Sequence, residues 1–498
     1  MRALDKESFV VMRKYASCSA SLLSLLAFLR LEDSLAVPAT SPELPASPCR
    51  LAGVTEPAQC GALSVLENPE RADGRRLAIH FAVIRASSGK ALPDPIAVLM
   101  GGPGEKAIES ASMYVGKLGS LLGDRDLLLV DQRGTGKSAP LECHLFSRAD
   151  PAASVRDIFP SEAVSRCIRE LEKTADLTRY TFPYFASDLE QVRRVLRYAR
   201  LNLFAGSYGT RAAQAYLRQY PQSVRTAYLG SPVPIDAGGP LDFARTEQTA
   251  LDHMFESCAA EAACRAAFPN LRDEFQQLVR RLDAGEVRVH VAGAPDAVVL
   301  SRGRIAEWVR SQLYRPHDAA ALPWFLHRAY AGDWSPIIDN MLSDAHDAEQ
   351  DLSFGLFFSI TCSEDVPFVN EEDVAAATRD TFLGDYRLRQ QQAACRLWPI
   401  ATLPNGYRQP VRSSSPTLFV TGDLDGGTPL WFTDRVARGF SDHVTVVVHG
   451  QGHTEWNECV AGKYEQLVRS GSIRELKSPS CPPMALPSFK ISPDSPAA

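Results

Sequence analysis

The sequence predicts an α/β fold, with a mostly parallel sheet flanked by helices and an inserted, mainly helical cap domain. Three observations predict it. Short apolar runs alternate with helically spaced segments from Leu77 to Leu229. The alternation stops over roughly Asp236 to Gln409. Sheet signals then resume at Thr417–Thr421 and His443–Val448. A repeated strand, turn, helix, strand order argues for parallel strands joined by crossover helices.

Each element has its own signal. Leu77–Arg85 reads as a strand. Pro95–Met100 (PIAVLM) is an apolar run that ends in Gly101-Gly102-Pro103-Gly104. Asp126–Val130 (DLLLV) is a second such run and ends in Asp131-Gln132-Arg133-Gly134. Asp188–Arg197 has apolar residues at 189, 192, 195 and 196, which is helical spacing. Leu201–Ala205 is a buried strand, Thr210–Tyr220 the helix behind it, and Thr226–Leu229 the next strand. In the interruption, Thr246–Phe255 and Arg304–Leu313 read as helices, and only Val287–Val291 and Val298–Leu300 carry strand signals. The expected division is a leader over 1–40, a core over 41–235, the helical cap over 236–410, the rest of the core over 411–480, and a Pro/Ser-rich tail over 481–498.

Composition narrows the class. At 498 residues the chain is long enough for one enlarged α/β domain with a second domain inserted. Hydrophobic residues at 45% and charged residues at 22% exclude a disordered, collagen-like or coiled-coil chain. The net charge of −6 shows no basic excess, so no nucleic-acid partner is expected.

The N-terminus and the cysteines point toward export. Arg2, Lys6, Arg13 and Lys14 precede a short apolar stretch, Ala16–Leu29, as in a secretory signal. The stretch falls short of the roughly 20 apolar residues that a transmembrane helix needs, so no stable membrane span is expected after processing. Arg30, Glu32 and Asp33 follow at once, and an amphipathic leader without an address is the other reading. Cys18 lies in this stretch, and ten of the eleven cysteines lie beyond it. They fall into sequence neighbours: Cys49 with Cys60, Cys143 with Cys167, Cys258 with Cys264, Cys362 with Cys395, and Cys459 with Cys481. Disulfides need an oxidising compartment, so a periplasmic or secreted protein is expected. Reduced thiols in a cytoplasmic enzyme are the alternative. No C-x-x-C or Cys/His zinc spacing occurs, and no metal is implied.

Four points carry chemistry. Ala205-Gly206-Ser207-Tyr208-Gly209 lies between a strand and a helix, the setting of a nucleophile elbow. A serine on so sharp a turn needs small residues two positions away, and Ala205 and Gly209 satisfy this. Asp425 follows the strand Thr417–Thr421, with Asp423 as the rival acid on the same loop. His453 follows the strand His443–Val448. Nucleophile, acid, then histidine is the chain order of a hydrolytic triad on this architecture. Ser207 would be the nucleophile, His453 the general base and acid, and Asp425 the group that holds the imidazole. The loop at 101–104 would let the backbone N–H of Gly102 join that of Tyr208 in holding an oxyanion. Gly134-Thr135-Gly136-Lys137-Ser138 imitates the end of a phosphate loop, but Asp131 stands where that motif needs glycine, so no nucleotide is expected.

With these residues the chain resembles the α/β-hydrolase serine peptidases of the prolyl and tripeptidyl aminopeptidase group. The matching stretches are GGPG at 101–104, DQRGTGKS at 131–138, AGSYGTR at 205–211, GDLDGGTP at 422–429 and GQGH at 450–453. TCSED at 361–365 and ACRLWP at 394–399 resemble the tripeptidyl branch. Met100 departs from the His often found before GGPG, Ala205 from Gly, and Gly426-Gly427 from the Pro often found after the acid. The resemblance implies an α/β-hydrolase fold and a cap that closes over the triad and selects a free N-terminal amine. It implies that acidic cap residues bind the ammonium, with Glu364 and Asp365 as candidates, and that Thr428 supports the Asp425 loop. The reading is an exported aminopeptidase that releases a residue (proline, in the family's manner) or a short peptide, with no cofactor. An esterase or amide hydrolase acting on small molecules with the same triad is the alternative.

Overall fold

The computed structural model describes residues 46–146, 150–454, 456–476 and 480–492. The leader over 1–40, Cys18 and the last six residues of the tail lie outside the described residues. A nine-stranded sheet contains β1 (Ser47–Cys49), β2 (Ala58–Leu66), β3 (Arg76–Ile84), β4 (Ile96–Leu99), β5 (Leu127–Val130), β6 (Leu201–Gly206) and β7 (Val224–Gly230). A two-stranded hairpin, β8 (Arg288–Val289) and β9 (Val298–Val299), stands apart. β10 (Thr417–Gly422) and β11 (His443–Val448) complete the large sheet.

The strand order is β1-β2-β3-β5-β4-β6-β7-β10-β11. Every pairing from β5 across to β11 is parallel. The edge formed by β1, β2 and β3 is antiparallel. The central parallel strands were legible as apolar runs because both faces of the sheet are covered there. IAVL in β4 and LLLV in β5 are wholly buried. The edge strands β1 and β2 carried no such signal. β2 (AQCGALSVL) is only half-buried and holds Gly61 in its middle.

Two apolar layers sandwich the sheet. Phe81, Leu203 and Ala213 belong to one, and Val98, Phe204 and Tyr464 to the other. Between β7 and β10 the chain is mostly helical and has a core of its own, built around Trp308, Leu322, Ile337 and Met341. The inserted segment touches the sheet's C-terminal edge at the loop after β4, where the Ser353 N–H donates to the Gly104 carbonyl at 3.0 Å. The five cysteine pairs expected from neighbouring positions are disulfides here. The tail lies against the surface. Its Met484 N–H donates to the His449 carbonyl at 2.8 Å, its Lys490 N–H to Ala320 at 3.0 Å, and Phe489 packs on the core of the insertion. No described helix is long and apolar enough to cross a membrane.

Candidate active site

The order of strands reverses around β4, which has β5 on one side and β6 on the other. Such a switch leaves a crevice at the C-terminal ends of the strands. The loops after β4, β6, β10 and β11 carry Gly102, Ser207, Asp425 and His453 respectively.

Ser207 sits between β6 and the helix Gly209–Gln219 with φ of 52°. A non-glycine residue at positive φ is costly and persists only where its surroundings impose it. Here the Ser207 N–H donates to the Gly230 carbonyl at 3.0 Å, and the Thr210 N–H returns to the Ser207 carbonyl at 3.0 Å. The close packing of the elbow explains its small residues. A Cβ on Gly209 would lie 2.2 Å from the Leu99 carbonyl oxygen.

The three side chains form one hydrogen-bonded line. Ser207 Oγ is 2.8 Å from His453 Nε2. His453 Nδ1 is 2.9 and 3.0 Å from the two oxygens of Asp425. Thr428 holds that carboxylate twice, through its N–H and its hydroxyl, each at 2.7 Å. Burial alone would raise the Asp425 pKa, but the charge and hydrogen bonds of His453 and the bonds from Thr428 outweigh it. The carboxyl therefore stays below its ordinary range. An ionised Asp425 keeps the proton on Nδ1, which leaves Nε2 free to accept one from Ser207. Asp423 serves elsewhere. It is bound to His449 at 2.8 Å and to the Gly450 N–H at 2.8 Å.

Gly102 and Tyr208 line one cavity of about 410 Å³ together with Ser207 and His453. Tyr208 heads the helix Gly209–Gln219, so its N–H has no carbonyl of the preceding turn to bond. The Gly101 N–H is bound to Glu105 Oε2 at 3.1 Å. Gly102 has φ of +101°, which glycine alone adopts freely. Beside it, burial pushes the Glu105 carboxyl up. Among these expected site residues, the structure brings Ser207, Asp425, His453, Thr428, Gly102 and Tyr208 together.

Glu364 and Asp365 are placed differently from the expectation. Both are completely buried, and neither lines the cavity. Asp365 is paired with Arg211 and accepts from the Tyr208 hydroxyl. Glu364 lies 3.7 Å from Arg211 and accepts from the Tyr407 hydroxyl at 2.6 Å and the Phe182 N–H at 2.9 Å. The reason is Arg211, one turn past Ser207 on the helix behind it and fully buried. A buried guanidinium needs opposing charge, and these two acids supply it. Asp365 is linked to the crevice through the Tyr208 hydroxyl, which donates to it. The DQRGTGKS stretch is scaffold. Asp131 accepts from the Ile108 and Lys137 N–H groups at 3.0 and 3.1 Å, and Arg133 is bound to Asp188 by two hydrogen bonds of 2.7 and 2.8 Å.

Several residues from the insertion that press on this site carry no local sequence signal. Tyr314 accepts the His453 backbone N–H at 2.7 Å on its carbonyl, and its ring lies 5.1 Å from the imidazole. Gly427 is the contact point on the Asp425 loop, where a Cβ would lie 2.1 Å from the Tyr314 ring. Glu247, wholly buried, packs on Gly426, where a Cβ would lie 2.4 Å from its carboxyl oxygen. The two glycines after Asp425 thus make room for Glu247 and Tyr314 of the inserted segment. No local motif marks Tyr314 or Glu247, since each acts through a partner more than a hundred residues away.

Neither oxygen of Glu247 has a hydrogen-bond partner among the described residues. Burial, opposed by Arg310, pushes its pKa from 4.5 to about 8. The folded chain therefore holds a proton that the unfolded chain releases near its ordinary value. This contribution to stability is fully present below 4.5, declines as pH rises, and is lost by about 8. Glu247→Gln is expected to show a shallower decline in Tm across this window than the unmodified protein. A Tm difference that stays constant from pH 4 to 9 would exclude titration of Glu247 there.

Residues 94–286 match the family model of the alpha/beta hydrolase fold, and residues 380–480 match that of TAP-like protein. An esterase from Exiguobacterium antarcticum is a solved structure similar to this chain, with 15% identity, 80% of this chain and 97% of that chain covered, and a TM-score of 0.35. Serine protease Hip1 of Mycobacterium tuberculosis is 25% identical over 83% of this chain and 86% of its own length. Tripeptidyl aminopeptidase of Streptomyces lividans is 22% identical over 87% of this chain and 85% of its own. With both family models in order along a mostly parallel sheet, the chain has the α/β-hydrolase fold, and along most of its length it is similar to serine peptidases.

Proposed function

We propose that this serine peptidase is an exported aminopeptidase that works through an acyl-enzyme on Ser207. The unbroken hydrogen-bonded line from Ser207 through His453 to Asp425, on the floor of a walled cavity, carries the reading. Ser207 Oγ attacks the scissile carbonyl carbon while His453 Nε2 takes its proton. The carbonyl oxygen becomes an oxyanion held by the N–H groups of Tyr208 and Gly102. The intermediate collapses, His453 gives the proton to the departing amine, and the acyl group stays on Ser207. Water deprotonated by His453 then attacks the ester and frees the acid and Ser207.

Release from the N-terminus is supported by the walls around the nucleophile and by the tripeptidyl aminopeptidase named among the relatives. The amine needs a carboxylate, and Asp344 is the acid in the cavity wall that makes no ion pair among the described residues. Export is supported by the five disulfides, which an oxidising compartment preserves. The test is hydrolysis of paired chromogenic substrates, free-amine and N-blocked, bearing Pro, Ala or Ala-Ala-Pro. Cleavage is expected only with the amine free, and the best substrate separates single-residue from tripeptide release. Equal cleavage of blocked substrates or simple esters would assign the chain to the esterase and amidase alternative.

A further inference from the structure

The cavity above Ser207 carries more positive than negative charge. Arg304 and Arg310 reach its wall from the helix Arg302–Gln312, and Arg387 from the helix Tyr386–Cys395. Glu307 accepts from Nε and Nη2 of Arg310 at 2.9 and 2.8 Å, and from Nη1 of Arg387 at 2.8 Å. One carboxylate thus serves two cations. Arg304 donates Nε to the Ser154 carbonyl at 2.7 Å, a neutral acceptor, and has no ion-pair partner among the described residues. Both Nη atoms of Arg304 and Nη2 of Arg387 also lack a protein acceptor there. Asp344, the other acid of the wall, is bound to Gln312 at 3.1 Å. Glu247, 3.9 Å behind Arg310, is held mostly protonated at neutral pH by its burial.

Three guanidiniums against two carboxylates leave one positive charge on a wall where Arg304 and Arg387 are largely buried. Holding a cation there without a counter-charge is costly. Arg387 also lies 5.1 Å over the Phe159 ring and 5.9 Å over that of Phe357. A guanidinium positioned by two rings and one carboxylate keeps its remaining N–H groups as a fork that matches a carboxylate.

We propose that Arg304 and Arg387 form a subsite for a carboxylate of the substrate, in the cavity that holds Ser207. This rests on the peptidase reading above and names its substrate class as acid-bearing peptides. The carboxylate is either an Asp or Glu side chain near the scissile bond or a free C-terminus a few residues beyond it.

The test compares kcat/KM within matched pairs on the intact chain at neutral pH and low salt. One pair is Ala-Ala-Glu against Ala-Ala-Gln p-nitroanilide. The other is a short peptide against its C-terminal amide. A preference for the carboxylate of about 10- to 100-fold is expected in one pair, from the worth of a charge-assisted hydrogen bond. The pair that shows it identifies the source. Arg387→Gln is expected to bring that ratio close to one, and Arg387→Lys to restore part of it. No preference in either pair would overturn the proposal. Should the chain cleave none of the four, the peptidase reading fails separately. The subsite is then judged by titrating Ser207→Ala with glutarate and with glutaramide in a calorimeter. Binding of glutarate alone, weakened by Arg387→Gln, supports the proposal, and equal or absent binding of the two overturns it.

Discussion

Ser207→Ala is expected to lower kcat by about a millionfold and to leave the fold intact. The magnitude is that of removing the nucleophile from a triad whose members act as one unit, and it corresponds to about 8 kcal/mol of transition-state stabilisation. No other described side chain takes the place of Ser207 Oγ, 2.8 Å from His453 Nε2. The fold is expected to persist because the elbow is held by backbone bonds from 207 to 230 and from 210 to 207, which alanine keeps. Relief of the positive φ is not expected either, since alanine bears the same Cβ. Circular dichroism and Tm check the fold, and single-turnover kinetics check the rate. Activity within tenfold of the unmodified protein in a folded variant would remove Ser207 from the mechanism.

Asp425→Asn is expected to cost about 10⁴-fold in kcat. The amide matches the carboxylate in shape, so the loss is one of protonation. Asp425 now accepts from Thr428 N–H, Thr428 hydroxyl and His453 Nδ1. An asparagine has one acceptor oxygen and one NH₂ group for these three donors. Where the NH₂ meets Nδ1, the imidazole must carry its proton on Nε2, and it then cannot take one from Ser207. Asp423→Asn is the comparison, because that residue faces His449 on the same loop. A larger loss from Asp423→Asn than from Asp425→Asn would exchange their roles.

The parallel strands and the loops after them were legible in the sequence because their signals are local. A strand buried on both faces has to be an apolar run, and PIAVLM, DLLLV and TLFVT are such runs. An elbow serine needs small neighbours within two residues, and Ala205 and Gly209 are those neighbours. The half-exposed edge strand Ala58–Leu66 had no such requirement and left no clear pattern. Glu364 and Asp365 show the opposite case. Two adjacent acids read as ligands for an ammonium because the cation that neutralises them, Arg211, lies about 150 residues earlier.

What the sequence marked by itself was the central parallel strands and the loops after them, which carry Ser207, His453 and two candidate acids, Asp423 and Asp425. Each depends on residues within one turn or one strand of each other. Only the tertiary structure decided which acid faces His453, that Glu364 and Asp365 are buried against Arg211, and that Tyr314 and the arginines of the inserted segment line the cavity of Ser207. These depend on which charges share a buried volume. Burial sets the energy of a charge through all its neighbours in space, and the chain brings those neighbours from distant positions that carry no mark of one another.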